Sequence, residues 1–158
     1  SQYDNVRIGM TGRIDTMQAA VLIEKLKIFD QEIIERQQVA DRYTAGLSDV
    51  ISCPHVPGDR QSVWAQYTTR LPKNVNRDQL QADLKTKGIP TAVYYAKPIH
   101  RQAAYAHNLI SGHAENGELP VTDALSYDVL SLPMHPYLDN STQDYIVEHI
   151  RNAVAAQS

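Results

Sequence analysis

A turn near the start of the sequence groups residue types that favour binding of an anion. The segment GMTGR sets Gly9 and Gly12 around Thr11 and ends in Arg13. Glycines permit tight backbone geometry, so a hydroxyl, backbone amides and a guanidinium can converge at a helix start, where free N–H groups attract negative charge. The spacing is neither a Walker-type phosphate loop nor the G-x-G-x-x-G pattern. The residues alone therefore leave two interpretations open, a plain turn before a helix and an anion site.

A second candidate site follows a predicted strand. In VYYAKPIH, Tyr94 and Tyr95 stand at the strand end, and Lys97 and His100 lie just beyond them. A long segment that is predicted to be mostly irregular comes next. Strand ends beside long loops commonly present ligand-binding groups. Aromatic packing with a solvated lysine is the alternative interpretation. The later His135, in LSLPMHPYL, is predicted to be structural.

The other reactive side chains form no catalytic pattern in the sequence. None of the six histidines makes an H-x-x-x-H pair on a predicted helix, and the single cysteine, Cys53, has no second thiol for a disulfide or a zinc site. The G-x-S-x-G motif of serine hydrolases is absent from the sequence. We therefore predict no metal site and assign no catalytic residue to this chain.

Length and charge limit the class of protein. The 158 residues suit one domain, since domains commonly hold about 100 to 200 residues. Fifteen basic and 18 acidic side chains give a net charge of -3 without a basic patch, which argues against nucleic acid as a partner. The sequence begins with Ser1, resembles no signal peptide and has no apolar run near the roughly 20 residues of a membrane span. We expect a soluble, cytoplasmic piece of a longer protein.

The first candidate site precedes a predicted long helix. Asp15 and Gln18 have the spacing of a capping box, in which each side chain bonds the backbone N–H of the other residue. Apolar residues then recur at steps of three and four. This pattern predicts a helix over 16–47, bent near Asp30.

Three strands and three further helices are predicted downstream. The strands are expected in SVWAQYTTRL, in IPTAVYY and in VLSLPM. Asn76 and Gln79 repeat the capping-box spacing before a helix closed by Gly88, Pro120 begins a short helix, and the last helix begins near Ser141. The predicted fold is α+β, with helices covering one face of a small, mainly antiparallel three-stranded sheet.

Five ordered motifs resemble the C-terminal half of the PLP-dependent nucleotide-sugar aminotransferases, the DegT–StrS group. The resemblance covers essentially the whole chain and is greatest to enzymes that aminate a 3-keto sugar or sugar acid on a UDP carrier. It implies that residues 1–158 are the small C-terminal domain of a fold-type-I PLP enzyme. The parent would be a homodimer that transfers an amino group, from glutamate, to a keto-sugar nucleotide in cell-surface polysaccharide synthesis. The motifs are GMTGRIDTMQAAVLIEKL, RQQVADRYTAGL, WAQYTTRL, LKTKGIPTAVYYAKPIHRQAAY and LSLPMHPYL.

The same resemblance implies site residues. Thr11 stands where the family has Asn in a G-x-N-x-R pattern, which implies a contact with the cofactor phosphate of the partner subunit. Arg13, Tyr94 and Tyr95 are implied to bind the sugar nucleotide. None of the six lysines matches the family's Schiff-base motif, so the cofactor lysine is expected in an N-terminal domain absent from this chain, and the fragment alone is expected to be inactive.

The sequence leaves two alternative functions open. The chain could be an independent, non-catalytic module for dimerisation or ligand binding. It could also belong to a PLP-dependent sugar dehydratase of the same family, in which histidine replaces the cofactor lysine.

Overall fold

Two helices, rather than one, occupy the region of the predicted long helix. The computed structural model gives α1 as Thr16–Leu26 and α2 as Phe29–Leu47. The predicted capping box is confirmed, because the Gln18 amide donates to Asp15 Oδ1 at 2.9 Å and the Asp15 amide donates to Gln18 Oε1 at 3.4 Å. The residues that the structure describes are 4, 6–7, 9, 12–105 and 119–157.

The break between these helices corrects the prediction of one helix over 16–47 and lies close to the predicted bend near Asp30. The amides of Lys27 and Ile28 bond the carbonyls of Glu24 and Lys25, each at 3.2 Å, and this tightens the end of α1. Neither glycine nor proline marks the break in the sequence. Since α2 buries one face in the core and α1 buries none of its residues, packing fixes the direction of α2 alone.

Among the residues that the structure describes, the sheet has two strands rather than the predicted three. Strand β1, Tyr67–Arg70, pairs antiparallel with β2, Val129–Leu132. The first strand begins later than predicted because Trp64 has a φ of 48°, a left-handed conformation that does not continue a ladder. The described residues thus form an antiparallel sheet with one strand fewer than predicted.

The predicted strand IPTAVYY contributes a single bridge on the other side of β2. Ala92 and Ser131 exchange two backbone hydrogen bonds, of 3.1 and 2.8 Å. Pro90 has no N–H to donate, and the chain turns at Tyr94, so too few residues remain to extend the ladder.

The downstream helices begin within one residue of their predicted starts. Asn76 accepts from the Gln79 amide at 3.0 Å, while the Gln79 side chain bonds Asp83 instead of completing the box. Gly88 ends this helix with a φ of 73°, as predicted for a C-terminal cap. The remaining helices of the described ranges are α3 (Arg77–Thr86), two short 3₁₀ turns (Ile99–Arg101 and Ala103–Tyr105), α4 (Pro120–Asp128) and α5 (Asn140–Ala155).

The core lies where α2 and α5 meet the sheet. The ring of Tyr43 lies 5.1 Å from that of Tyr67, which is 5.6 Å from Trp64. The Tyr43 hydroxyl donates to the Pro133 carbonyl at 3.0 Å, and burial raises the pKa of this phenol, so it remains a donor. These contacts fix β2 and the segment after it against α2.

Candidate functional site

The two predicted tyrosines lie beside a cavity of about 640 Å³. The Tyr94 side chain is half-buried and that of Tyr95 is exposed. Their ring centroids are 5.6 Å apart with an interplanar angle of 63°, and the peptide bond between them is cis. The bridge at Ala92, two residues earlier, attaches this turn to β2. Both aromatic groups are therefore presented by a turn that the sheet supports.

Three segments form the described walls of this cavity. The turn after Tyr95 and the first 3₁₀ turn form one side, α4 forms the other, and Val129 at the start of β2 also lines the cavity. A concave, largely apolar site with a few polar groups suits a small organic ligand. Besides the two tyrosines, the lining residues are Lys97, Pro98, Ile99, Gln102, Thr122, Leu125, Ser126 and Val129.

Lys97 connects the cavity to Asp4, which belongs to the segment before α1, residues 1–15, called the N-terminal arm below. Its Nζ lies 3.4 Å from Asp4 Oδ1, and both side chains are partly exposed. An exposed pair of this kind is worth little in stability. The contact nevertheless places Asp4 beside the turn that carries Tyr94 and Tyr95.

His100, just beyond the tyrosine pair in the sequence, is not among the described lining residues of the cavity. Its side chain is 6% exposed, and Nε2 lies 3.0 Å from Asp123 Oδ1 in α4. Arg101 binds the same carboxylate through Nε at 3.1 Å and Nη2 at 2.8 Å. The Arg101 guanidinium first, and His100 second, hold the pKa of Asp123 below its usual range.

The other predicted site residues are not brought into this cavity. Arg13 is exposed, two residues before the cap residue Asp15, and is not among the described lining residues. Thr11 lies outside the described residues. Asp123 was not singled out from the sequence, although an aspartate near a proline-started helix and a preceding His-Arg pair were both visible.

The described residues do not by themselves provide a site for PLP or a metal. The described lining contains one lysine, Lys97, and no carboxylate that could pair with a pyridine nitrogen. In the same part of the chain, no three or more His, Cys, Asp or Glu side chains are grouped to hold a metal ion. No helix in the described ranges has the length and apolar character needed to cross a membrane.

The family model of the DegT/DnrJ/EryC1/StrS aminotransferases matches residues 1–151. The chain belongs to this family. The UDP-2-acetamido-2-deoxy-3-oxo-D-glucuronate aminotransferase of Pseudomonas aeruginosa is 43% identical over 152 residues, which are 96% of this chain and 40% of that protein. A protein of Geobacillus stearothermophilus named pleiotropic regulatory protein is 40% identical over 153 residues, 94% of this chain and 39% of its own length.

A solved structure extends the similarity to the fold. The DegT DnrJ EryC1 StrS aminotransferase from Brucella abortus superposes with a TM-score of 0.80 at 47% identity, covering 96% of this chain and 39% of that one. The chain therefore has an aminotransferase fold and spans about two fifths of the length of these relatives.

Proposed function

We propose that this chain is the C-terminal part of a cytoplasmic, PLP-dependent aminotransferase. The parent transfers an amino group from glutamate to a keto-sugar nucleotide, a step in cell-surface polysaccharide synthesis. The observation that carries the proposal is the 43% identity over 152 residues with an enzyme named for a UDP-linked 3-oxo-glucuronate. The relative of known structure, at 47% identity, supports the same class of protein.

In this proposal the cavity beside Tyr94 and Tyr95 receives part of the sugar nucleotide. A phenol can donate or accept a hydrogen bond, and an aromatic face can stack on a planar group. Lys97, partly exposed beside the cavity, adds a positive charge suited to a phosphate. Arg13 binds the substrate from the arm, because a guanidinium can hold a carboxylate or phosphate through two bonds.

The cofactor is held mainly by a domain outside these 158 residues. Bound PLP supplies the electron sink through which an amino group is moved, and it requires a lysine that this sequence does not offer in the family's motif. The parent is a homodimer in this proposal, and the arm carrying Thr11 reaches the cofactor phosphate of the partner subunit.

The surface of α1 supports the presence of that further domain. Met17 and Val21 are largely exposed, and together with Ile14 and Leu22 they line an open apolar groove. A contiguous apolar patch on one helix face commonly marks an interface. The relatives are about two and a half times as long as this chain, so the cofactor domain of the same subunit is the occupant that we assign to it.

The proposal is tested with the full-length protein, including its natural upstream sequence. We expect the visible absorbance of lysine-bound PLP, and glutamate-dependent amination of a UDP-linked 3-keto sugar acid with release of 2-oxoglutarate. A dTDP-linked keto sugar serves as the comparison substrate. A full-length protein that binds no PLP would contradict the proposal.

Arg13 is tested within the same protein. Arg13→Ala should raise the KM for the sugar nucleotide about tenfold or more while the affinity for PLP stays within about twofold, because its contact is assigned to the substrate alone. Arg60→Ala, which changes another exposed arginine outside the cavity, is the matched control and should change neither quantity. Equal losses of substrate and PLP affinity in Arg13→Ala would contradict the assigned role.

One observation favours a second candidate function, a non-catalytic regulatory module. The Geobacillus relative has a regulatory name and 40% identity over 153 residues. The upstream reading frame distinguishes the two functions. A cofactor lysine in it supports the aminotransferase, a histidine at that position supports the family's dehydratases, and the absence of any cofactor motif supports the module.

A further inference from the structure

Asp123 joins the two walls of the cavity. The carboxylate belongs to α4, and its three ligating nitrogens belong to the 3₁₀ turn that follows the tyrosine pair. Oδ1 lies within 3.0 Å of His100 Nε2 and 3.1 Å of Arg101 Nε, while Oδ2 accepts from Arg101 Nη2 at 2.8 Å. Both carboxylate oxygens are thus used across the two walls.

The residues beside this cluster face the cavity. Ile99, one residue before His100, lines one wall, as does Gln102, one residue after Arg101. On the other side, Thr122 and Leu125 line the cavity and flank Asp123 in α4. The distance between the two walls therefore depends on the bonds that this carboxylate makes.

We propose that Asp123 is a positioning residue that sets the width of the cavity and thereby the affinity for the sugar nucleotide. The inference rests on the proposed function for the identity of the ligand, and on geometry for the role of the carboxylate. Asp123 acts through His100 and Arg101 and touches no substrate itself. Charge-assisted bonds are shorter and stronger than neutral ones, and a fork of two bonds from Arg101 also fixes direction.

Removal of the charge should therefore loosen one wall against the other. In Asp123→Asn the amide group offers one oxygen instead of two and presents its own N–H donors to Arg101 or His100. The residue keeps its size, so packing at the helix start changes little. The ligand would have to restore the wall positions on binding, and its affinity falls for that reason.

Asp128 provides a matched control on the same helix. Its Oδ2 accepts from Arg70 Nε at 3.2 Å and Nη2 at 3.1 Å, so it too is an arginine-bound aspartate. The side chains of Asp123 and Asp128 are similarly exposed, at 25% and 21%. Asp128 pairs with β1, however, and does not line or bridge the cavity.

The experiment measures steady-state kinetics of the full-length protein with its keto-sugar nucleotide. Asp123→Asn should raise the KM about tenfold with kcat within about twofold and with unchanged PLP absorbance, whereas Asp128→Asn should leave the KM within about twofold. Arg101→Gln, at an exposed site, should reproduce most of the rise in KM. This variant replaces Asp123→Asn in the test if Asp123→Asn does not fold. An unchanged KM in both Asp123→Asn and Arg101→Gln, or an equal rise in Asp128→Asn, would overturn the proposal.

Hydrogen exchange separates this inference from the proposed function. The amides of Arg101, Gln102 and Tyr105 donate within the two 3₁₀ turns, to Pro98, Ile99 and Gln102. Asp123→Asn should speed their exchange several-fold in the absence of substrate, and Asp128→Asn should not. If the wild-type protein does not transaminate, the proposed function fails while this measurement still decides the role of Asp123, and unchanged exchange would refute that role.

Discussion

Gly46 of α2 lies directly against Val147 of α5. A Cβ built on Gly46 would stand 2.9 Å from Val147 Cγ1 and 3.3 Å from Cγ2, distances that packed side chains avoid. The adjoining Gly46 carbonyl also accepts from Arg151 at 2.9 Å. The two helices therefore approach each other at a point where only a residue without a side chain fits.

Gly46→Ala should destabilise the protein despite the better helix propensity of alanine. Overpacking typically costs about 1–3 kcal/mol, against a propensity gain of roughly 1 kcal/mol, so we expect a net loss of about 1 kcal/mol. The free energy of unfolding in urea measures it. Gly58→Ala, where an added Cβ meets nothing within 4 Å, should be near neutral, and the double variant Gly46→Ala with Val147→Ala should show non-additivity.

Gly88→Ala should cost stability for a different reason. An added Cβ meets no atom within 4 Å, but the φ of 73° is one that residues with a side chain rarely adopt. We expect a loss of about 1–2 kcal/mol in urea unfolding, and a smaller loss for Gly88→Asn, since asparagine tolerates this conformation. Equal losses for the two variants would contradict this explanation.

Stability should fall in acid through Asp139, the cap of α5. Its carboxylate accepts from the Ser141 hydroxyl, and from the hydroxyl and amide of Thr142, and these bonds lower its pKa. The folded-state pKa therefore lies below the unfolded one. The stabilisation is present above about pH 4 and is lost as the pH falls through the lowered value.

Asp139→Asn tests this assignment, because an amide oxygen can still cap the helix but does not titrate in this range. The free energy of unfolding should vary less between about pH 4 and pH 2 in the variant than in the wild type. Asp139→Ala should in addition lower the midpoint of thermal unfolding by roughly 2–4 °C at neutral pH. An identical pH dependence in Asp139→Asn would show that other carboxylates account for the acid sensitivity.

The attachment of α1 should depend on Tyr137. The buried Glu32 of α2 accepts from both Lys25 of α1 and the Tyr137 hydroxyl, and the Lys25 ammonium lies 5.5 Å from the centre of the Tyr137 ring. The Lys25 bond first, and the Tyr137 bond second, lower the pKa of Glu32. This cluster joins α1 to the segment before α5 across the helix break.

Tyr137→Phe removes one donor and keeps the ring. Initial trypsin cleavage after Lys27 should become several-fold faster, because the first helix is then held less firmly. Tyr127→Phe, at an exposed tyrosine of α4, is the matched control and should cleave at the wild-type rate. Equal rates for the two variants would mean that the Tyr137 hydroxyl does not hold α1.

Local signals in the sequence predicted the start of α1 and both ends of α3. Asp15, Asn76 and Gly88 act within a few residues of their partners, so residue type and spacing were sufficient. The break after Leu26 depends on packing against distant elements, which spacing does not report, and the reduction of IPTAVYY to a single bridge follows from Pro90 and the turn at Tyr94. The apolar side chains of α1 are largely exposed, so their periodicity predicted a helix but not its position in the fold.

The candidate site was also predicted only in part from the sequence. The tyrosine pair was predicted from its position at a strand end, and the structure adds that this position borders a cavity. The role of Asp123 could not be predicted, because its partners His100 and Arg101 lie 23 and 22 residues earlier in the sequence. The roles of Thr11 and Arg13 stay predictions.

The position of the single tryptophan gives this protein an optical reporter of its own core. Trp64 is 6% exposed, and its indole N–H donates to Gln37 Oε1 at 2.7 Å. Since Gln37 belongs to α2, separation of α2 from the segment of Trp64 would expose the indole to water and move its emission to longer wavelength. Emission from this one residue therefore distinguishes loss of the core from movement of α1, which lies outside this cluster.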